Sequence, residues 1–323
     1  MDKNSLIFVA GHRGLVGSAI LRELEKRGYS NTVTRSHSGL DLENQAATEA
    51  FFAGVRPEIV FLAAARVGGI GANSVHRAEM IYSNLMIQCN VIHAAWRYGV
   101  KKLVFLGSSC IYPRLAPQPM HEECLLTSEL EYTNEPYALA KIAGLRMCES
   151  YNLQYGTDFI SVMPTNLYGE NDSFDLENGH VLPVLIRKFH EAKVQNRDSV
   201  ELWGSGKPRR EFLYSDDLAE AVVMLAEKVS FRDLAGECGG NIKNTHINIG
   251  TGKDITIAEL ADLIKEIVGF DGGIVWNAEK PDGTPQKLLD ISKIRSFGWQ
   301  PKTKLYDGIK QTYEWFLGHL DEL

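Results

Sequence analysis

Two pairs of side chains in the middle of the chain have the types and spacing for proton transfer at a carbonyl group. Tyr137 and Lys141 are four residues apart, so a helix would place both on one face. A neighbouring ammonium favours the tyrosinate and lowers the phenol's pKa, which would make Tyr137 a proton donor or acceptor near neutral pH. Ser108 and Cys110 follow a predicted strand, and open α/β sheets bind ligands at the carboxyl ends of their strands. The Tyr-Lys spacing alone is common among surface contacts, so its meaning depends on what surrounds it.

A glycine-rich loop near the N-terminus has the spacing G-x-x-G-x-x-G. It covers residues 11–17 (GHRGLVG), between a predicted strand at 6–10 and a predicted helix at 15–27. Glycines permit a tight turn and let the backbone approach a pyrophosphate at the helix N-terminus. A glycine triplet is weak evidence alone, but here the required strand precedes it and the helix follows it. The loop predicts dinucleotide binding.

Arginines near the predicted ribose site favour NADP over NAD. The second predicted strand, 32–34, lacks the terminal Asp or Glu that usually holds the 2′-hydroxyl of NAD, and the next acid is Asp41. Arg35 follows that strand, and Arg13 lies in the glycine loop. Guanidinium groups bind phosphate with a planar fork, which suits a 2′-phosphate. Either arginine could instead be a solvated surface charge.

The elements that must position these residues alternate between strand and helix. Apolar runs predict strands at 6–10, 32–34, 59–65, 103–107 and 159–163, with helices at 15–27, 45–52, 76–98 and 136–155. This alternation predicts a doubly wound parallel α/β sheet of the Rossmann type. We expect a cofactor domain formed by residues 1–168, to which the chain returns at about residues 212–250. Residues 169–323 should form mainly a smaller, interleaved substrate domain, with a polar insertion near 232–244.

Composition excludes several classes of function. The 323 residues carry 34 Lys and Arg against 41 Asp and Glu, a net charge of -7, which argues against nucleic-acid or anionic-membrane binding. No apolar run has the length of a membrane span, and the N-terminus does not resemble a signal peptide. The five cysteines have neither CxxC pairing nor zinc spacing, so we expect reduced thiols, no metal site and a cytoplasmic protein.

Taken together, the motifs resemble the extended short-chain dehydrogenase/reductase family, which acts largely on nucleotide sugars. The glycine loop, Ser108, the Tyr137/Lys141 pair and the later strings at 209–212 (RREF) and 216–217 (DD) all match, across nearly the whole chain. The resemblance implies that Ser108 hydrogen-bonds the substrate's carbonyl or hydroxyl oxygen. It also implies that Tyr137 exchanges a proton there, and that Lys141 binds the nicotinamide ribose and tunes Tyr137.

More specific strings resemble one branch of this family. They are residues 11–14 (GHRG), 63–70 (AAARVGGI), 106–113 (LGSSCIYP), 134–137 (NEPY), 164–169 (PTNLYG) and 280–285 (KPDGTP). Enzymes of that branch epimerise C3 and C5 of GDP-4-keto-6-deoxy-D-mannose and then reduce the C4 ketone with NADPH. Epimerisation beside a ketone needs a base and an acid on opposite faces of the sugar. The resemblance assigns these roles to Cys110, in thiolate form, and to His180.

The resemblance also implies the contacts of cofactor and substrate. For NADP(H) these are Gly11, His12, Arg13, Gly14, Leu15, Val16, Gly17, Arg35, Leu106, Gly107, Ser108, Ser109, Lys141, Pro164, Thr165, Asn166, Leu167 and His180. For the GDP-sugar they are Lys188, Trp203, Arg210 and Asp282. Arg210 suits the diphosphate by charge, and the apolar face of Trp203 suits the nucleotide. Trp203 could otherwise belong to a core, and Lys188 could be a solvated helix charge.

Assembly and two alternative functions complete the expectations. In relatives, the helices predicted here at 76–98 and 136–155 pair across a two-fold axis into a four-helix bundle, which implies a homodimer. The first alternative is a nucleotide-sugar 4-epimerase, or a 4-ketoreductase without epimerase activity, from which Cys110 and His180 would distinguish this chain. The second is a non-catalytic NADP sensor, which would not need Ser108, Tyr137 and Lys141 and would not oxidise NADPH.

Overall fold

The computed structural model of the chain describes residues 1–236, 242–280 and 282–322. Its strands are β1 (Ile7–Ala10), β2 (Thr32–Val33), β3 (Ile59–Leu62), β4 (Lys102–Leu106), β5 (Phe159–Pro164), β6 (Asn166–Tyr168), β7 (Ser199–Trp203), β8 (Arg209–Tyr214), β9 (Ile247–Ile249), β10 (Asp254–Thr256), β11 (Gly273–Asn277) and β12 (Gln286–Lys287). Its helices are α1 (Leu15–Lys26), α2 (Gln45–Val55), α3 (Ile70–Val75), α4 (Arg77–Arg97), α5 (Glu135–Tyr155), α6 (Val181–Val194), α7 (Ser215–Lys228), α8 (Phe231–Ala235), α9 (Ile257–Val268), α10 (Ser292–Ser296) and α11 (Leu305–Gly318). Among the described residues, no helix is both long and apolar enough to cross a membrane.

Six parallel strands form the central sheet, in the order β2-β1-β3-β4-β5-β9. β1 (IFVA) and β3 (IVFL) are apolar throughout and buried at every residue, as parallel strands covered on both faces must be. α1 packs against α7, whereas α4 packs against α2 and α5. β2 lies on one side of β1 and β3 on the other, so the order in which successive strands are added across the sheet reverses at β1. Sheets of this kind bind ligands at that point, beyond the carboxyl ends of the strands.

A second group of elements surrounds a separate cluster of buried apolar side chains. β8 lies within it, paired antiparallel with β10 and parallel with β6 and β12. β7 and β11 form a two-stranded parallel sheet. α6 packs against α9, and α11 packs against α9 and β8. Phe189, Ile264 and Phe316 belong to this cluster and are at most 2% exposed, so this part of the chain has an apolar core of its own.

The predicted fold class, a doubly wound parallel α/β sheet, is confirmed. Within residues 212–250, β9 pairs with β5 in the central sheet, whereas β8 begins earlier than predicted and pairs with β6, β10 and β12 instead. The third strand also ends three residues earlier than predicted, at Leu62. Part of the predicted polar insertion, residues 237–241 with Cys238, lies outside the described residues.

The side chain of Glu211, on β8, joins three segments of the chain. Its carboxylate is fully buried and accepts hydrogen bonds from the backbone N–H groups of Thr251 (2.5 Å), Gly252 (2.7 Å) and Leu289 (3.0 Å). The carbonyl oxygen of Glu211 also accepts from the Asn166 amide at 2.8 Å. β8, β6, the turn after β9 and the segment after β12 therefore meet at one residue.

Candidate active site

The glycine loop has the shape that a pyrophosphate requires. Gly11 has φ +87°, and a Cβ added there would lie 2.7 Å from the backbone nitrogen of Ala64. A Cβ on Gly17 would lie 2.1 Å from the Gly11 carbonyl oxygen. Gly14 caps α1 without a side-chain hydrogen bond, so the first N–H groups of this helix have no side-chain acceptor. Open N–H groups at a helix N-terminus attract an anion, and the loop therefore fits the diphosphate of a dinucleotide.

The remaining loop residues lie beside the same helix terminus. His12, Leu15 and Val16 are half-buried, and Arg13 is exposed. Burial and the neighbouring Arg13 lower the pKa of His12. Arg35 is exposed two residues after β2, where its guanidinium donates to the Thr34 carbonyl at 2.7 Å. Because β1 and β2 are neighbours, the two predicted arginines follow adjacent strands.

The carboxyl end of β4 presents Ser108 and Cys110. Leu106 ends the strand, and Gly107 is packed so closely that a Cβ there would lie 2.2 Å from the methyl carbon of Met163. Ser108 is extended and opens a 3-10 turn, Ser109–Ile111, in which its Oγ accepts from the Cys110 N–H at 3.3 Å.

The Cys110 thiol is only 7% exposed, and this burial raises its pKa. Three neighbours act in the opposite direction: the Lys287 ammonium most strongly, then the Ser108 hydroxyl, then the Lys141 ammonium. The thiol is therefore buried, and the two ammonium groups oppose the effect of that burial on its pKa.

α5 brings Tyr137 and Lys141 to this strand end, as the spacing predicts. Pro136 occupies the first turn of α5, where its missing N–H costs nothing. Lys141 is 3% exposed, and its Nζ donates to the Leu106 carbonyl oxygen at 2.8 Å. The same Nζ lies 5.6 Å from the centroid of the Tyr137 ring. Contacts and electrostatic interactions thus bring Ser108, Cys110, Tyr137 and Lys141 together.

The predicted effect of Lys141 on the Tyr137 phenol is wrong for this structure. Burial raises the pKa of Tyr137, and the nearby Cys110 raises it further. Burial also lowers the pKa of Lys141 to about 8, despite an opposing effect of Cys110. The ammonium is held by the Leu106 carbonyl rather than by the phenol, and the helical spacing alone could not reveal that competing acceptor.

His180 is the residue that precedes α6 and caps it through its backbone. The residue as a whole is exposed, but protein atoms surround its ring closely enough for desolvation to lower its pKa. The preceding backbone is anchored to the segment after β3, because the Gly69 N–H donates to the Asn178 carbonyl at 2.8 Å. Among the described residues, His180 makes no hydrogen bond to Ser108, Cys110 or Tyr137.

The segment from Pro164 to Leu167 runs from the end of β5 into β6. The Thr165 N–H donates to the Ile249 carbonyl at 3.0 Å, and the Thr165 hydroxyl donates to the Glu211 carbonyl at 3.2 Å. The Asn166 amide also donates to Glu211, so both side chains are engaged within the protein. The backbone of the segment is engaged as well, because Asn166 and Leu167 pair with Phe212 and Leu213 of β8.

The predicted substrate residues lie on the second group of elements. Trp203 ends β7 with 59% of its surface exposed, so it is not a core residue. The Lys188 and Lys280 ammonium groups lie 5.9 Å and 5.1 Å from its ring centroid. Lys188 also donates to the Glu201 carbonyl at 3.3 Å, and burial lowers its pKa.

Arg210 and Asp282 complete the predicted substrate set. Burial lowers the pKa of the Arg210 guanidinium, while Asp282 and Glu131 oppose this shift. The Asp282 carboxylate accepts from the Ser205 N–H at 2.9 Å and from the Ser205 hydroxyl at 2.6 Å. Asp282 therefore fixes the turn after Trp203 as well as facing Arg210.

Two lysines at this site were missed in the sequence. Lys280 begins the string 280–285 and lies over Trp203, and Lys287 follows that string by two residues and acts on the pKa of Cys110. The sequence signal that could have indicated them is a lysine at the start of the string 280–285 and another just after it. The pairing of β12 with β8, which sets Lys287 opposite Arg210, joins segments that are far apart in the sequence.

Comparison with known proteins agrees with this geometry. The family model described as the NAD dependent epimerase/dehydratase family matches residues 7–250, most of the chain. The chain belongs to this family. The predicted family resemblance is thereby confirmed, and the family's match begins at the first residue of β1 and ends just after β9.

Three similar proteins cover almost the same length as this family member. A putative GDP-L-fucose synthase 2 of Arabidopsis thaliana is 57% identical over 98% of this chain and 93% of its own length. The GDP-L-fucose synthase of Escherichia coli is 53% identical over 98% and 97%. The solved structure of a GDP-mannoheptose C4 reductase from Campylobacter jejuni, with NADP bound, is 47% identical over 98% and 99%, with a TM-score of 0.89.

Proposed function

We propose that this chain is a GDP-L-fucose synthase, which converts GDP-4-keto-6-deoxy-D-mannose to GDP-L-fucose with NADPH. The main support is that four side chains lie together at the end of β4, beside a loop shaped for a pyrophosphate. They are Ser108, Cys110, Tyr137 and Lys141. Relatives that are 53–57% identical over 98% of the chain bear that name. The enzyme is an NADP-dependent oxidoreductase with epimerase activity.

NADP(H) is the cofactor, and when bound it supplies a hydride for the C4 carbon. The open N–H groups of α1 hold its diphosphate, and Arg13 and Arg35 bind its 2′-phosphate. Lys141, fixed by the Leu106 carbonyl at 2.8 Å, holds the nicotinamide ribose. Backbone groups between Pro164 and Leu167 orient the carboxamide.

Epimerisation uses Cys110 and His180 on opposite faces of the sugar. The Cys110 thiolate removes the proton from a carbon next to the ketone, and the C–H electron pair moves to the C4 oxygen as an enolate. Ser108 and Tyr137 donate hydrogen bonds to that oxygen and stabilise its charge. The protonated His180 ring then returns a proton from the other face, and the ketone reforms with inverted stereochemistry. Exchange with solvent restores both groups.

Reduction reuses the same oxygen site. The raised pKa of Tyr137 keeps the phenol protonated, so it can donate to the C4 oxygen throughout. When the C4 carbon is reduced, Tyr137 transfers its proton to the new alkoxide, and Ser108 keeps its hydrogen bond. One pair of donors therefore serves both reactions.

The substrate's nucleotide lies on the second group of elements. The exposed ring of Trp203 packs on the base, and Arg210 binds the diphosphate. Lys188, over the same ring, adds positive charge. Asp282 accepts from a sugar or base donor with the part of its carboxylate that Ser205 leaves open.

A second candidate function is C4 reduction of a GDP-sugar without epimerisation. It is favoured by the C4 reductase from Campylobacter jejuni, which is 47% identical with a TM-score of 0.89. The two functions share the cofactor loop, Ser108, Tyr137 and Lys141. They differ in whether a proton on a carbon next to the ketone exchanges with solvent.

One experiment separates the two functions. The protein is incubated with GDP-4-keto-6-deoxy-D-mannose and NADPH in heavy water, and the product is analysed by NMR. The synthase consumes NADPH and leaves deuterium at C3 and C5. Consumption of NADPH without deuterium in the product would identify a reductase instead, and absence of both would refute either function.

A Cys110→Ser variant tests the proposed base. Serine has nearly the size of cysteine and can also form a hydrogen bond, but the pKa of its hydroxyl is too high for it to act as the base. Deuterium incorporation should therefore fall at least about 100-fold. NADPH binding, measured by fluorescence, should stay within a factor of two or so. Full epimerase activity in this variant would contradict the role of Cys110.

The assembly and location follow from the same proposal. The protein is a homodimer in which α4 and α5 of two copies form a four-helix bundle. It resides in the cytoplasm, where a thiol such as Cys110 stays reduced, and the four cysteines within the described residues are all free.

A further inference from the structure

The segment at residues 63–69 leaves the carboxyl end of β3. In the central sheet β3 lies between β1, which leads into the glycine loop, and β4, whose end carries Ser108 and Cys110. The first residue of the segment, Ala63, donates its N–H to the Ala10 carbonyl at the end of β1 at 3.0 Å. The segment therefore starts at the same edge of the sheet as the cofactor loop and the proposed base.

Two buried amide side chains fix the rest of this segment. Asn84 of α4 is 2% exposed; its Oδ1 accepts from the Arg66 N–H at 3.1 Å, and its Nδ2 donates to the Arg66 carbonyl at 2.9 Å. Asn73 of α3 is 6% exposed, and its Nδ2 donates to the carbonyl oxygens of Gly68 (2.6 Å) and Gly69 (3.0 Å). This backbone therefore cannot move without the loss of buried hydrogen bonds.

The end of the segment touches the turn that precedes His180. The Gly69 N–H donates to the Asn178 carbonyl at 2.8 Å, and a Cβ added to Gly69 would lie 2.5 Å from the Gly179 carbonyl oxygen. Gly69 has φ −66°, which any residue adopts, so the close approach and not the backbone conformation requires glycine. The turn is also fixed from within, because the Asp175 Oδ1 accepts from the Asn178 N–H at 2.7 Å.

We infer that Gly69 is a positioning residue that holds His180 on the face of the sugar opposite Cys110. The inference rests on the proposed function, in which His180 is the acid that returns the proton. The enolate can take a proton from two groups, and in both cases its electron pair forms the new C–H bond while the ketone reforms. A proton from His180 completes the inversion, whereas a proton from the Cys110 thiol arrives on the original face and restores the substrate.

The position of His180 therefore decides whether proton exchange leads to epimerisation. In heavy water the Cys110 thiol exchanges its proton for deuterium. Return of that deuterium to the original face leaves labelled substrate whose stereochemistry has not changed. Displacement of the His180 ring should increase this outcome at the expense of inversion, because proton transfer requires close and well-oriented partners.

The test compares Gly69→Ala with Gly54→Ala. The methyl group added at Gly69 must displace the turn before His180, whereas a Cβ at Gly54, on α2, meets no atom within 4 Å. Each variant is incubated with GDP-4-keto-6-deoxy-D-mannose and NADPH in heavy water, and NMR measures deuterium in the recovered substrate and in the inverted product. The ratio of labelled substrate to inverted product should rise at least about tenfold in Gly69→Ala and stay within about twofold in Gly54→Ala.

An Asn73→Ala variant tests the same role without added bulk at the turn. It removes the donor to the carbonyl oxygens of Gly68 and Gly69, so the ratio should change in the same direction. This variant decides the question if Gly69→Ala does not fold. Equal decreases of exchange and inversion would mean that these residues only support the fold, and the inference would be overturned.

A measurement without substrate separates this inference from the proposed function. The chain has nine histidines, so selective ¹³C labelling gives few ring signals, and a His180→Gln variant identifies that of His180. Gly69→Ala should shift this signal, and Gly54→Ala should not. A shifted signal together with a wild type that leaves deuterium in neither compound would refute the proposed function and leave the positioning of His180 by Gly69 standing. An unchanged His180 signal in both Gly69→Ala and Asn73→Ala would overturn the inference.

Discussion

At the residue scale, the site buries its proton-carrying groups, and burial favours their neutral forms. Burial raises the pKa of Tyr137 and of Cys110, and it lowers the pKa of Lys141 to about 8. A phenol that stays protonated remains a donor to the ketone oxygen. A buried thiol, in contrast, is a poor base unless a cation stabilises its anion, which is why the charges near Cys110 matter.

Asp172 is a buried carboxyl for which stability and pH should be linked. It is 8% exposed, its Oδ1 accepts from the Ser173 N–H at 2.8 Å, and its Oδ2 is buried without a partner. Burial raises its pKa from 3.8 to about 7. The pKa of Asp172 is higher in the folded than in the unfolded chain, so folding favours the protonated carboxyl. The free energy of unfolding therefore falls as the pH rises from about 4 to 7.

An Asp172→Asn substitution should therefore stabilise the protein at high pH. Asparagine keeps the oxygen that accepts from Ser173 and carries no charge. The gain over the wild type should be at most about 4 kcal/mol at pH 8 and should largely disappear near pH 4. Urea unfolding of both proteins at several pH values measures this difference. A difference that does not change with pH would contradict the linkage.

At the scale of elements, Glu211 is the residue through which β8 binds the turn after β9 and the segment after β12. Replacing it with glutamine should lower the free energy of unfolding by roughly 2–3 kcal/mol, because the amide nitrogen cannot accept from a backbone N–H group where a carboxylate oxygen now does. Guanidinium chloride unfolding measures the loss. Glu259→Gln is the matched control, since Glu259 is 61% exposed on α9 and glutamine serves equally well in its capping box. Equal losses in both variants would contradict the role of Glu211.

The sequence predicted the elements of the first half of the chain well, and those of the second half less well. β1, β3, β4 and β5 are short apolar runs next to amphipathic helices. The hydrophobic pattern of each strand and that of the helix beside it therefore indicate the same alternating arrangement. β8 (RREFLY) begins with three charged residues and lies in a different sheet from β9, and no local pattern reveals which strand it pairs with. Strand pairing depends on contacts far apart in the chain.

The candidate site divides in the same way. The groups carried by one strand-helix unit, Ser108 to Lys141, were predictable from spacing because β4 and α5 are rigid and adjacent. The positions of Lys287 and Glu211 were not, since they depend on contacts between segments far apart in the chain. Nor could the spacing show that the Leu106 carbonyl takes the Lys141 ammonium.

At the scale of the whole molecule, α4 and α5 carry an apolar surface that suits a second copy of the chain. Trp96 stacks on Tyr155 with ring centroids 4.3 Å apart, and His93 hydrogen-bonds Tyr151 at 2.8 Å, so aromatic groups connect the two helices. Further apolar side chains on them remain largely exposed: Tyr82 (61%), Leu139 (43%) and Leu153 (54%). Burial of this surface would support the proposed homodimer.

A Leu153→Glu substitution should weaken that dimer at least about tenfold. Burying the new carboxylate at an apolar interface without a partner is unfavourable, whereas on a free surface it costs little. Sedimentation velocity over a range of concentrations measures the change. Leu317→Glu, on α11, is the control because Leu317 is similarly exposed, at 41%, outside α4 and α5. A monomeric wild type, or equal effects of both variants, would contradict the proposed interface.

Two apolar cores share one site between them. We propose that the cofactor domain comprises residues 1–168 with a return at about 212–250, and that the rest is mainly the substrate domain. The first core contains the central sheet, and the second lies among α6, α9 and α11. Ser108 and Cys110 follow β4 of the central sheet, whereas Arg210 lies on β8 of the second sheet, so the proposed site needs both parts to be folded.

The pairing of β12 with β8 also bears on the order in which a ribosome delivers the site. Residues 108–141 emerge and can fold against the growing central sheet long before residue 287 has left the exit tunnel. Until then β12 cannot pair with β8, and the segment after β12 cannot donate its N–H group to Glu211. The substrate side of the site would thus be completed only when synthesis of the chain is almost finished.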